Sequence, residues 1–127
     1  MFTINGVEFD IDLLDADVME RLENAAEEIQ KKVAAEKKKN HTKTSEFIRT
    51  FNGLTEEFID TVLGDGASQL IFNGSQNMME HMEAYHGIFK AKEEATAGVT
   101  EFADTFKNTY SPNRAARRAA AKSGGKS

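Results

Sequence analysis

Six apolar residues between positions 14 and 33 constrain this chain more than any other feature. Leu14, Val18, Leu22, Ala25, Ile29 and Val33 advance by 4, 4, 3, 4 and 4 positions. Such steps line up on one side of a chain that turns every 3.6 residues, and on neither face of a strand. Phe47, Ile48, Phe51, Leu54, Phe58, Ile59 and Val62 repeat the pattern as a broader, aromatic-rich stripe. Met78, Met82, Tyr85, Phe89, Val99, Phe102 and Phe106 carry it a third time, with Lys92 and Thr96 weakening its middle. Helices with one apolar side must cover that side. The expected fold is therefore mainly α, a three-helix bundle.

Local signals set the boundaries. "FTI" and "VEF" are β-prone and flank Asn5-Gly6, a pair suited to the positive backbone angles of a tight hairpin turn. Two short strands are unstable alone, so this N-terminal β-hairpin is expected to pack on the helices. Asp17 and Glu20 have capping-box spacing, which starts the first helix near Asp15 or Asp17. Lysines gather at its end, where cations favour the last carbonyls. "KKKNHTKT" reads as an exposed connection. The second helix starts near Thr44 or Ser45 and stops at "GDG", 64–66, with Gly53 inside it as a close contact or a bend. "ASQLIF", 67–72, is a short helix closed by Asn73-Gly74. The third long helix runs from a Ser75 cap to about Thr109, with Gly98 as a kink or break. Pro112 ends it, because the residue before proline avoids helical angles.

The charge is uneven. The chain has 127 residues and a formal net charge of −5. Arg114, Arg117, Arg118, Lys122 and Lys126 give 112–127 a charge of +5, and the remaining 11 basic residues face all 21 acids, leaving −10 on 1–111. The expected organisation is a helical domain with its hairpin over 1–111 and a basic, flexible tail over 112–127. On that tail the four cations from Arg114 to Lys122 share one side of any helix it forms. An acidic body repels nucleic acid and anionic membranes, so only the tail would attract them. Apolar runs fall far short of a membrane span, and the first ten residues lack the order of a signal peptide. A cytoplasmic protein is expected.

Catalytic chemistry finds no foothold. There is no cysteine. His81 and His86 are five apart, not the i, i+4 spacing of a helical metal pair. "GDG" lacks the ligand ladder of a calcium loop, and "GDGASQLIFNG" lacks the lysine of a phosphate loop. Glu56, Glu57 and Asp60 read as a solvated helix face. No cofactor, metal or enzymatic activity is expected. The methionines are either core or an adaptable docking surface. The basic tail is a solubilising end, an arm for an acidic protein surface, or a weak, salt-sensitive attachment to nucleic acid.

The order of segments resembles that of tail assembly chaperone-like proteins from long-tailed phages and prophages of Gram-positive bacteria. The elements are the opening "FTINGVEFDID", the acidic helix "DADVMERLENAAEEIQKK", the stretch "EEFIDTVLGDGASQLIFNG", and a long helix leading to "YSPNRAARRAAAK". The last is the most specific, since the family often finishes in Ser-Pro-Asn-Arg and further basic residues. The resemblance implies a chaperone that binds the tape measure protein, helps recruit tail tube protein, and leaves before the tail is finished. It also implies a longer form made by ribosomal frameshifting. In that role Phe51, Phe58, Met78, Met82 and Phe89 would supply apolar contact, and Arg114, Arg117, Arg118 and Lys122 a cationic arm. A homo-oligomer is a further partner: a stripe wider than one neighbour covers would complete its core by self-association. The competing functions are a virion connector and a nucleic-acid-binding accessory protein.

Overall fold

The computed structural model describes residues 2–39 and 43–110. The chain forms two compact units, divided between Lys92 and Glu93. It is mainly α, with an N-terminal antiparallel hairpin and four helices.

The first unit opens with β1 (Phe2–Ile4) and β2 (Val7–Phe9), paired Phe2 to Phe9, Thr3 to Glu8 and Ile4 to Val7. Asn5 and Gly6 both take positive φ, 49° and 83°, as the primed hairpin turn requires. Alternation puts Phe2 and Ile4 in the core and leaves Thr3 and Glu8 in water. The hairpin lies on α4: a side chain at Gly87 would begin 3.0 Å from Ile4 Cδ1.

Helix α1 (Ala16–Lys37) is capped by Asp15, whose carboxylate accepts from the backbone N–H groups of Asp17 and Val18 at 2.9 and 3.2 Å. The turn before it corrects one end of the expected stripe. Leu14 is 63 % exposed, and Leu13 is the buried residue instead. Leu14 precedes the helix, and its N–H is drawn to the Asp12 carboxylate at 2.9 Å, so helical spacing does not govern it. Leu22, Ala25, Ala26 and Ile29 form the buried side.

Helix α2 (Thr44–Leu63) packs along α1 and buries Phe58, Ile59, Val62 and Leu63. Arg21 on α1 donates twice to the Val62 carbonyl, at 2.9 and 3.3 Å, satisfying one of the last carbonyls of α2. Gly64 and Gly66, at positive φ, turn the chain into α3 (Ala67–Phe72). There Asp60 accepts from the Ser68 N–H at 2.8 Å and from its hydroxyl at 3.1 Å. Helix α4 (Met78–Tyr110) follows. Asn77, rather than Ser75, acts at its start, accepting from the Glu80 N–H at 3.0 Å. His81, Ala84 and Ile88 are buried.

The described part of the second unit is the stretch of α4 from Glu93 onward. Here the expectation of an inward-facing stripe fails. Val99, Phe102 and Phe106 are 52, 70 and 56 % exposed. Gly98 does not break the helix, and a side chain there meets nothing within 4 Å. The expected basic tail, with Arg114, Arg117, Arg118 and Lys122, lies outside the described residues.

Gly53 also lies within an unbroken helix, exposed, with open space where a side chain would start. Neither a close contact nor a bend accounts for it. Gly53→Ala should therefore raise stability by about 0.5–1 kcal/mol, because glycine loses more backbone freedom on folding. The check is a higher urea midpoint at unchanged slope.

Candidate partner-binding surface

The surface of the first unit rests on a polar centre inside it. His81 is fully buried. Its Nδ1 lies 2.7 Å from the Asn77 carbonyl and its Nε2 lies 2.8 Å from Glu56 Oε2. A carbonyl only accepts, so Nδ1 donates. The contact at Nε2 needs one further proton, on the ring or on the carboxyl. Phe72 stacks on the imidazole at 3.8 Å between centroids, 11° from parallel. Asn52, also fully buried, donates from Nδ2 to the Gln76 carbonyl at 2.7 Å, while its Oδ1 meets no partner among the described residues. The second buried polar side chain of α2, Thr55, donates to the Phe51 carbonyl at 3.0 Å.

This centre corrects the reading of Glu56, Glu57 and Asp60 as a solvated face. Glu56 reaches inward to His81 and Asp60 holds Ser68. Only Glu57 is exposed, in an ion pair with Lys32 at 2.9 Å. The hydrogen bond to Glu57 keeps the Lys32 ammonium protonated to a higher pH than usual, against a smaller opposing effect of desolvation.

The apolar residues expected to bind a partner occupy different depths. Phe58 is a core residue. Its ring stacks on Phe89 at 5.7 Å and meets Tyr85 at 5.3 Å, tilted by 57°. Tyr85 and Phe89 are themselves 4.7 Å apart. Phe51, Met78, Met82 and Phe89 are half-buried, so each keeps some apolar surface in contact with water. Phe51 and Tyr85 also line an open groove of about 290 Å³, with Ile29, Val33 and Ala34 of α1 and the exposed Lys37. Met78, Met82, Phe58 and Phe89 do not line it.

Sequence reasoning passed over two contributors to this surface. Tyr85 was assigned to the inner face, yet it forms a groove wall. Val33 closes the α1 stripe where that stripe runs out of neighbours. Among the described residues no group of three or more His, Asp or Glu side chains is placed to hold a metal ion. No helix among them is long and apolar enough to cross a membrane. What the groove offers chemically is apolar contact beside one lysine, Lys37.

The profile of a family of unknown function, DUF6673, matches residues 5–121. The chain belongs to the DUF6673 family. No curated protein and no solved structure matches it. The family match spans the hairpin turn, all four helices and most of the basic stretch, so in this DUF6673 protein the groove and the polar centre lie within the family's own extent.

Glu56→Ala should lower stability by about 1–3 kcal/mol by leaving a buried ring nitrogen of His81 without its partner. Glu57→Ala, whose partner Lys32 stands in water, should change it far less. Urea unfolding of the two variants side by side makes the comparison. Burial raises the Tyr85 phenol above its ordinary value of 10.0. The unfolded phenol then ionises first, so this contribution to stability is complete below pH 10.0 and is lost as pH rises through the folded value. Ultraviolet titration of tyrosinate should show the late ionisation, and Tyr85→Phe should remove it.

Proposed function

We propose that this DUF6673 protein is a tail assembly chaperone-like protein of a long-tailed phage or prophage. In this reading it binds the tape measure protein in the host cytoplasm, helps bring tail tube subunits to it, and is not retained in the virion. One observation carries the reading: the order of segments along the chain, ending in Ser111-Pro112-Asn113-Arg114 and further basic residues. The geometry is compatible with such work. A holding protein needs apolar surface at the water boundary and enough charge to keep its complex soluble. The half-buried Phe51, Met78, Met82 and Phe89 provide the first, and the −10 carried by residues 1–111 the second. Arg114, Arg117, Arg118 and Lys122 would act as a cationic arm toward acidic segments of the tape measure or tube protein. The same basic run favours a second reading, a nucleic-acid-binding accessory protein. No reaction and no cofactor is part of either reading.

Co-expression with a phage tape measure protein should keep that protein soluble and allow the two to be isolated together. Ending the chain after Tyr110 should leave the thermal melt in place and weaken that complex at low salt, with the difference fading as salt rises. Mass spectrometry of finished particles should not detect the protein. Tight, sequence-selective nucleic-acid binding that depends on residues 112–127 would favour the accessory protein instead, and presence in the finished particle would make it a structural component.

A further inference from the structure

Val99, Phe102 and Phe106, separated by three and four positions, share one side of α4. All three are more than half exposed. Glu94 and Glu101, seven apart, run along one flank of that stripe. Residues 93–108 hold four acids and one lysine, a net charge of −3. The groove of the first unit has the opposite character. Its walls are Ile29, Val33, Ala34, Phe51 and Tyr85, and Lys37 lines it at the end of α1. Residues 31–39 hold five lysines and one glutamate, a net charge of +4.

We propose that the Val99–Phe102–Phe106 stripe of one copy seats in the α1–α2–α4 groove of a second copy, with Glu94 and Glu101 toward the lysines at the end of α1. Apolar side chains leave water on both sides of this contact, and the charges around it are complementary. Two like patches would not be: a stripe against a stripe brings the acids of 93–108 together, and a groove against a groove brings Lys37 to Lys37. Charge therefore selects the unlike pairing. Because stripe and groove are different surfaces, the contact is heterologous, and one copy contributes its stripe to the groove site of another. The inference concerns a second copy of this chain and stands whether or not the client is a tape measure protein.

Sedimentation equilibrium of the full chain tests it. The unaltered protein should self-associate, more weakly as salt rises. Phe102→Asp and Val33→Glu should each weaken association by at least about tenfold. Mixing the two variants should recover part of it, since an intact stripe then meets an intact groove. Lys37→Glu with Lys38→Glu should weaken association, and adding Glu94→Lys with Glu101→Lys should restore it. These four positions are exposed, so the comparison does not depend on Val33→Glu folding, and circular dichroism confirms that each variant is helical. A protein that stays monomeric at all concentrations overturns the proposal. So does a folded Val33→Glu variant that associates normally while Phe102→Asp does not, because the stripe would then pair with itself. Failure of the charge reversal to restore association overturns it as well.

Discussion

A buried imidazole presents two nitrogens that water can no longer reach, and the first unit is organised around meeting both. Asn77 and Glu56 do so from opposite sides of His81. Asn77 has a second duty, because its side chain accepts from the Glu80 N–H at the start of α4. Glu56 comes from the middle of α2. The hydrogen bonds of one ring thus tie the first turn of α4 to α2 at a fixed height. With that height fixed, Ala84 and Ile88, three and seven residues on from His81, enter the core, and Tyr85 and Phe89 meet Phe58. Phe72, reached through the short α3, closes the ring's face. Apolar packing supplies most of the driving force and is non-directional. The hydrogen-bonded pair has defined partners and adds a directional constraint on the register of α4 against α2.

The neighbouring polar groups act in the same way with less certainty of satisfaction. Asn52 holds the Gln76 carbonyl just before α4, at the cost of a buried Oδ1 without a partner among the described residues. Such an oxygen costs on the order of 1–3 kcal/mol, which makes Asn52 a weak point beside a strong one. Arg21 and Asp60 close the other end of α2, one by meeting its Val62 carbonyl and the other by holding the first turn of α3. Helix α2 is the hub: its partners on α1, α3 and α4 all reach it through a polar contact as well as through its apolar side.

Much of this architecture was legible in the residues. Asn5-Gly6 announced the hairpin, the Gly64–Gly66 turn and Asn73-Gly74 bracketed α3, and spacing located the three long helices. The failures share a cause. Periodicity reports which residues share a side, not what covers that side. Val99, Phe102 and Phe106 continue the pattern of the buried half of α4, yet they lie exposed. His81, Asn52 and Thr55 were invisible for the converse reason, since a polar letter in an apolar stripe reads as an interruption when its partners are 24 or 25 residues away or a turn back along the helix. Glu56 was misread because three acids in five residues look alike in sequence, while in the fold each faces a different neighbour. The groove was foreshadowed only in part. Phe51 was expected at a contact surface, but the other aromatic wall, Tyr85, had been assigned to the core.

The seat of the hairpin on α4 has a consequence for how such a chain drifts. At Gly87 a first side-chain carbon would begin 3.0 Å from Ile4 Cδ1, closer than ordinary van der Waals contact, so Ile4, itself almost wholly enclosed, would have to give way. Positions 4 and 87 therefore share a tight space. Bulk added at one presses on the other, although they lie 83 positions apart in sequence. Among related chains these two columns should trade size as a couple, a trace of the hairpin's docking written far from the hairpin itself.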